Sequence, residues 1–154
     1  MFKLQTAIFK FQKHMFKNVI TAVIATVLIS CSQQSPEEQL QHLSGYWEIE
    51  SVEFPDGSKK EYSISTTIDY IEMDGTQGIR KKVHPRLDGT FKVTKDAESF
   101  TAKIEQDSLQ LYYKTPYHDW KETVLLAKDS TLHVLNKEGN IYKYKKFSIF
   151  NFNE

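Results

Sequence analysis

The chain has 154 residues, room for one domain, with 20 basic side chains, 20 acidic ones and a single cysteine. Lys3, Lys10, Lys13 and Lys17 stand in residues 1–30 without an acid, so the remainder, with 16 basic and 20 acidic residues, carries about −4. That balance speaks against a nucleic-acid partner, which needs a concentrated basic face, and one cysteine excludes an internal disulfide.

From Val19 to Ile29 the chain is apolar or small and uncharged. Eleven helical residues rise about 16 Å, short of a hydrocarbon core of about 30 Å. A basic flank, a short apolar run and a small residue before a cut point read as a signal peptide over residues 1–30. The abrupt switch to SQQSPEEQ argues against a buried core helix. Met15 opens a compact signal by itself, MFKNVITAVIATVLISC, which makes Met1–His14 an upstream choice of start.

Leu28-Ile29-Ser30-Cys31 resembles the bacterial lipobox. The resemblance implies cleavage before Cys31, lipid on its sulfur and acylation of its new amino group. Membrane lipid is then the first partner and the bacterial cell envelope the location. A thioether cannot oxidise, so a lone cysteine is harmless in an oxidising compartment. One acyl chain anchors only marginally, at about 0.8 kcal/mol per buried methylene, whereas two or three make release negligible. Ser32 in place of Asp implies passage to the outer membrane, and the absence of a tight acidic cluster after Cys31 implies the periplasmic side. The leaflet stays open.

Residues 31–36 form the lipidated cysteine and a tether, of which residues 32–36 span at most about 17 Å. Ser35-Pro36-Glu37-Glu38 predicts a helix start: Ser35 as N-cap, Pro36 in the first turn, Glu38 completing a capping box. The helix is one or two turns, ends by Gly45, and uses Leu40 and Leu43 to plug one end of the domain, taken as residues 37–150.

After Gly45 the apolar period becomes two. Phe91 and Val93, then Phe100, Ala102 and Ile104, then Leu109, Leu111 and Tyr113, then Tyr142 and Tyr144 alternate with polar residues. Trp120, Val124 and Leu126 share a face that Glu122 interrupts. One dry and one wet face per strand predicts an antiparallel sheet. Turn pairs stand at Asp56-Gly57, Asp74-Gly75, Asp88-Gly89, Asp96-Ala97, Asp107-Ser108, His118-Asp119, Asp129-Ser130 and Glu138-Gly139. The later intervals hold one strand and one turn, with no room for a crossover helix. The expectation is all-β, an up-and-down antiparallel barrel of eight or nine strands, with a two-sheet sandwich as the alternative. Residues 65–73, apolar on both faces, predict a strand that is bulged or covered by the helix.

Gly45-Tyr46-Trp47, on the first strand after a short helix, resembles the G-x-W signature of lipocalins. The resemblance implies that Gly45 permits the turn into the strand and that Trp47 seals the closed end of the barrel. In that family an arginine of the last strand stacks on the tryptophan. Here that strand offers only Lys143, Lys145 and Lys146, which can make a cation–π contact but not a planar stack. The second lipocalin signature, T-D-Y, does not occur where it belongs.

The residues do not point to catalysis. There is no G-x-S-x-G elbow and no glycine-rich phosphate loop. His42, His84, His118 and His133 are scattered without metal-ligand spacing, so no metal and no cofactor is expected. Arg86 in KVHPRL reads as a solvated turn more readily than as an anion-binding loop. Tyr112, Tyr113, Tyr117 and Trp120 in YYKTPYHDW read as hairpin packing or as a ligand grip. The expected function is non-catalytic capture of a small apolar ligand, lined by Trp47, Phe91, Phe100, Leu111, Tyr113 and Trp120. The alternative is a filled barrel that works on an envelope protein through its outer surface, since so many large inward side chains favour a packed centre.

Overall fold

The computed structural model describes residues 34–63, 65–86 and 88–148. The signal segment and Cys31 lie outside them. A short helix, α1 (Pro36–Gln41), precedes nine strands: β1 (Gly45–Glu53), β2 (Lys59–Glu61), β3 (Ile68–Asp74), β4 (Gln77–Pro85), β5 (Phe91–Glu105), β6 (Ser108–Lys114), β7 (Asp119–Ala127), β8 (Thr131–Leu135) and β9 (Ile141–Lys146). From β3 onward each strand pairs antiparallel with the next, and β9 returns to pair with β1. Eight strands, β1 and β3 to β9, therefore close an up-and-down barrel, as the alternation and turn spacing predict. Closure leaves those strands without an open edge, which a sandwich would not.

β2 and β3 share one position beside β1. Four residues back along β1, from Ser51 to Trp47, the partner moves eight, from Glu61 to Asp69. Residues 62–67 thus hold a four-residue detour in one interrupted strand. Most of the turn pairs do separate strands, and between β5 and β6 the left-handed residues are Gln106 (φ 50°) and Asp107 (φ 57°), the geometry of a tight hairpin turn.

Asp96-Ala97 is different. No turn forms there, and β5 runs unbroken for 15 residues. Between Lys81↔Ala97 and Val83↔Val93 the ladder shifts, with two extra residues on β5. An even shift preserves the side-chain period, so Phe91 and Val93 stay on the face opposite Phe100 and Ala102. Phe91 consequently points outward, a correction to its expected inward place. It stacks on Tyr46 at 4.5 Å, and Tyr46 in turn meets Tyr70 at 4.7 Å. The far part of the β4–β5 hairpin therefore curls back over the outside of β1 and β3, where Ile68 and Val83 are fully covered. That outer cover explains why residues 65–73 look apolar on both faces. It is the hairpin that covers β3, not the helix.

α1 packs across β5, β6 and β7. Its capping box is present: Glu38 N donates to Ser35 Oγ at 3.2 Å, and Ser35 N donates to Glu38 Oε2 at 3.3 Å. At six residues the helix is too short to stand by propensity alone. Tertiary contacts hold it: Gln39 Nε2 donates to Leu125 O at 3.4 Å, His42 pairs with Asp129 at 3.0 Å, and Leu43 is wholly buried. Below it lie Trp47, Ile71, Phe100, Ala102, Leu109, Leu111, Val124 and Leu132, one continuous apolar core.

Candidate functional site

The barrel has two unlike ends. At the closed end Trp47 is fully buried and its Nε1 donates to Leu43 O at 2.8 Å. Lys146 Nζ lies 4.1 Å from the centre of the Trp47 ring and donates to Ser44 O at 2.6 Å. A lysine of the last strand thus makes the cation–π contact allowed above. Gly45 has φ +131°, and a Cβ there would run into Lys146 Nζ and lie 2.7 Å from its Cε. The glycine of Gly45-Tyr46-Trp47 therefore supplies both a backbone that only glycine adopts readily and the space for the cation.

The opposite end is open, between the turns at residues 115–118 and 136–140. Here the inward positions are charged. Arg80 sits at the centre, 11% exposed. Its Nη2 donates to Asp69 Oδ2 at 2.6 Å and to Tyr144 OH at 2.7 Å; its Nη1 donates to Glu122 Oε2 at 3.2 Å and to Tyr113 OH at 3.4 Å. Lys82 Nζ reaches the other oxygen of Asp69. Two cations thus meet two carboxylates, and only Lys82 is substantially exposed. Burial pushes the Asp69 carboxyl up, but Arg80 and Lys82 outweigh it and hold the group below the ordinary carboxylate value. Burial raises the phenols of Tyr113 and Tyr144 far above their ordinary range, so both are neutral acceptors for Arg80. Arg80 Nε, also buried, has no hydrogen-bond partner.

Sequence reasoning passed over Arg80 and Asp69. One signal was available: Glu122 interrupts the dry face of β7, and a carboxylate on a dry face requires a cation. The ladder places Glu122 opposite Leu111, inside the barrel. A shift between Val124 and Leu126 then turns Leu126 outward and brings Ala127 in, which corrects the expected face of Leu126.

Above the charged cluster a depression of about 320 Å³ opens between β7 and the β8–β9 turn, lined by Trp120, Glu122, Tyr142, His118 and Asn136 among others. Three rings step from core to rim: Tyr113 stacks on Trp120 at 4.7 Å and 1°, and His118 on Trp120 at 5.8 Å. Of the six residues expected to line a ligand site, Trp120 borders this mouth. Phe100, Leu111 and Tyr113 are packed in the barrel below it, Trp47 lies at the far end, and Phe91 is outside. Arg86 is in an exposed turn, its backbone N–H bonded to Thr90 O at 2.9 Å. Among the described residues, no three of His, Cys, Asp and Glu gather as metal ligands.

A family model described as a lipocalin-like domain matches residues 43–134. A solved structure of a lipocalin-like protein from Bacteroides uniformis superposes with a TM-score of 0.44 at 12% identity, covering 69% of this chain and 99% of that one. No curated protein matches the chain.

Proposed function

The chain belongs to the lipocalin-like domain family, and on that premise we propose that it is a membrane-anchored, non-catalytic binding protein that takes a small, mostly apolar ligand at the barrel mouth. The observation that carries this reading is the depression of about 320 Å³ with Trp120 and Tyr142 on its walls and Glu122 at its floor. That volume is at the small end of ligand sites, which run from about 300 to 1,000 Å³. Large side chains fill the barrel beneath, so the ligand sits at the mouth rather than deep inside. Two rings supply apolar contact, and Glu122 supplies one polar anchor for a donor on the ligand.

The anchor is Cys31, by its resemblance to a lipobox cysteine. Gln34 is bonded to the backbone of Ala127 at the closed end, through Ala127 N to Gln34 Oε1 at 3.3 Å. Three residues of chain from Cys31 reach about 10 Å at most. A lipid there holds the closed end toward the bilayer and turns the mouth away from it, in our reading on the periplasmic side of the outer membrane. The filled interior supports a second reading, in which the barrel docks an envelope protein by its outer surface. Tyr117, 96% exposed on the rim, would then be a contact.

Native mass spectrometry of the barrel from its own host tests both. A co-purified small molecule, with ligand-dependent emission that is lost in Trp120→Phe, is the expected result. Trp120 and Trp47 are the only tryptophans, so the variant isolates the mouth. An empty barrel with unresponsive Trp120 emission overturns the proposal, and a protein held at one to one supports the second reading.

A further inference from the structure

A second depression of about 420 Å³ lies on β5, β6 and β7; Thr101, Lys103, Tyr112, Lys114, Asp119 and Lys121 border it on the outer face, and it meets the mouth at Trp120 and Lys121. The register sets Tyr112 between Thr101 on β5 and Lys121 on β7. Lys103 Nζ lies 4.9 Å and Lys121 Nζ 5.9 Å from the centre of the Tyr112 ring. Lys59, Lys82, Lys137, Lys143 and Lys145 each have a carboxylate within 4.0 Å. Among the described residues Lys60, Lys81, Lys92, Lys128 and Lys146 have none, and neither do Lys103, Lys114 and Lys121, but these last three share one groove. Of the nearby acids, Glu105 accepts from Tyr112 OH at 2.7 Å, and Asp119 stands opposite Lys114 in the ladder. Cations are therefore concentrated at one place on a domain that is acidic on balance.

Gathered like charges repel, and the contacts with one tyrosine ring return only about 0.5–1 kcal/mol each at an exposed site. An anion in the groove removes that repulsion. We propose that the groove binds an acidic carbohydrate, a chain bearing carboxylate or sulfate groups. The ammonium groups take the acid, the ring edge and lysine stems take the apolar face of a sugar, and Thr101 Oγ1, which donates to Gln77 Oε1 at 3.1 Å, accepts from a sugar hydroxyl. The acidic remainder of the domain disfavours a long polyphosphate, which needs an extended basic stripe. The groove lies toward the open half of the barrel, away from the helix-closed end.

The test titrates oligogalacturonate into the chain from Ser32 onward, which contains the whole barrel core, and reads binding by calorimetry and backbone amide shifts. Binding at low ionic strength that weakens toward about 0.15 M salt is expected. Amide shifts should centre on Tyr112. Lys103→Ala with Lys121→Ala should weaken binding roughly tenfold or more. Lys103→Gln with Lys121→Gln, which keeps most of each stem, should do the same with an unchanged melting curve. Lys59→Ala with Lys60→Ala removes equal charge elsewhere and should leave binding intact. No binding at low ionic strength, equal loss in the Lys59 and Lys60 control, or binding only to phosphatidylglycerol vesicles each overturns the assignment.

Discussion

Gly45 does two things that no other residue can do at once. Its φ of +131° is costly for any side chain, and its missing Cβ leaves the volume that Lys146 occupies against Trp47. Gly45→Ala should cost about 1–3 kcal/mol, seen as a lower urea midpoint, and should alter the emission of Trp47 as Lys146 is displaced. Phe91 teaches the complementary lesson at the same scale. Its alternation with Lys92 was legible, but alternation says only that two faces differ. Which face is inward depended on whether Asp96-Ala97 turned the chain, and a bulge with an even shift left the period uninterrupted.

At the scale of elements, polar residues tie strands together inside the barrel. Arg80 on β4 joins Asp69 on β3, Glu122 on β7, Tyr113 on β6 and Tyr144 on β9. Arg80→Ala leaves the nearly buried Glu122 without its cation and Asp69 with only the exposed Lys82, and should cost about 3–5 kcal/mol in denaturant unfolding. Arg80→Lys should recover little of that, because one ammonium cannot serve four acceptors in a plane. The Asp69 carboxyl has its folded-state value below its unfolded one. Its contribution is therefore present above the ordinary carboxylate range and lost as pH falls through the folded value. Stability should decline below about pH 4, and Asp69→Asn should flatten that limb of a pH–stability curve. The helix is simpler: Ser35→Ala removes the cap on Glu38 N and should lower stability by about 1 kcal/mol.

For the whole molecule, closure is the governing event. β1 meets β9 across about a hundred residues of chain, as in Trp47↔Lys146. Such non-local pairing forms late and slowly relative to local hairpins. The helix plug and the Trp47–Lys146 contact lie at the seam, so variants there should report on closure. At this scale the proposed anchor is also tested: if Cys31 carries lipid, Cys31→Ser should move the protein from the membrane fraction to the soluble fraction and abolish labelling with a palmitate analogue. Continued sedimentation with membranes would remove the lipid from the account.

The sequence alone determined most of the turns, the capping box, the antiparallel order and, through Gly45-Tyr46-Trp47, the tryptophan at the closed end. These depend on local periods and turn chemistry, which act over a few residues. Only tertiary structure decided that Glu122 and Arg80 face inward as partners, that Phe91 folds over the outside, and that the open mouth holds Trp120 while the other large rings pack below. Each rests on a register set between strands distant in the chain. A shift of one residue reverses a face and a shift of two preserves it, and no local pattern carries that difference.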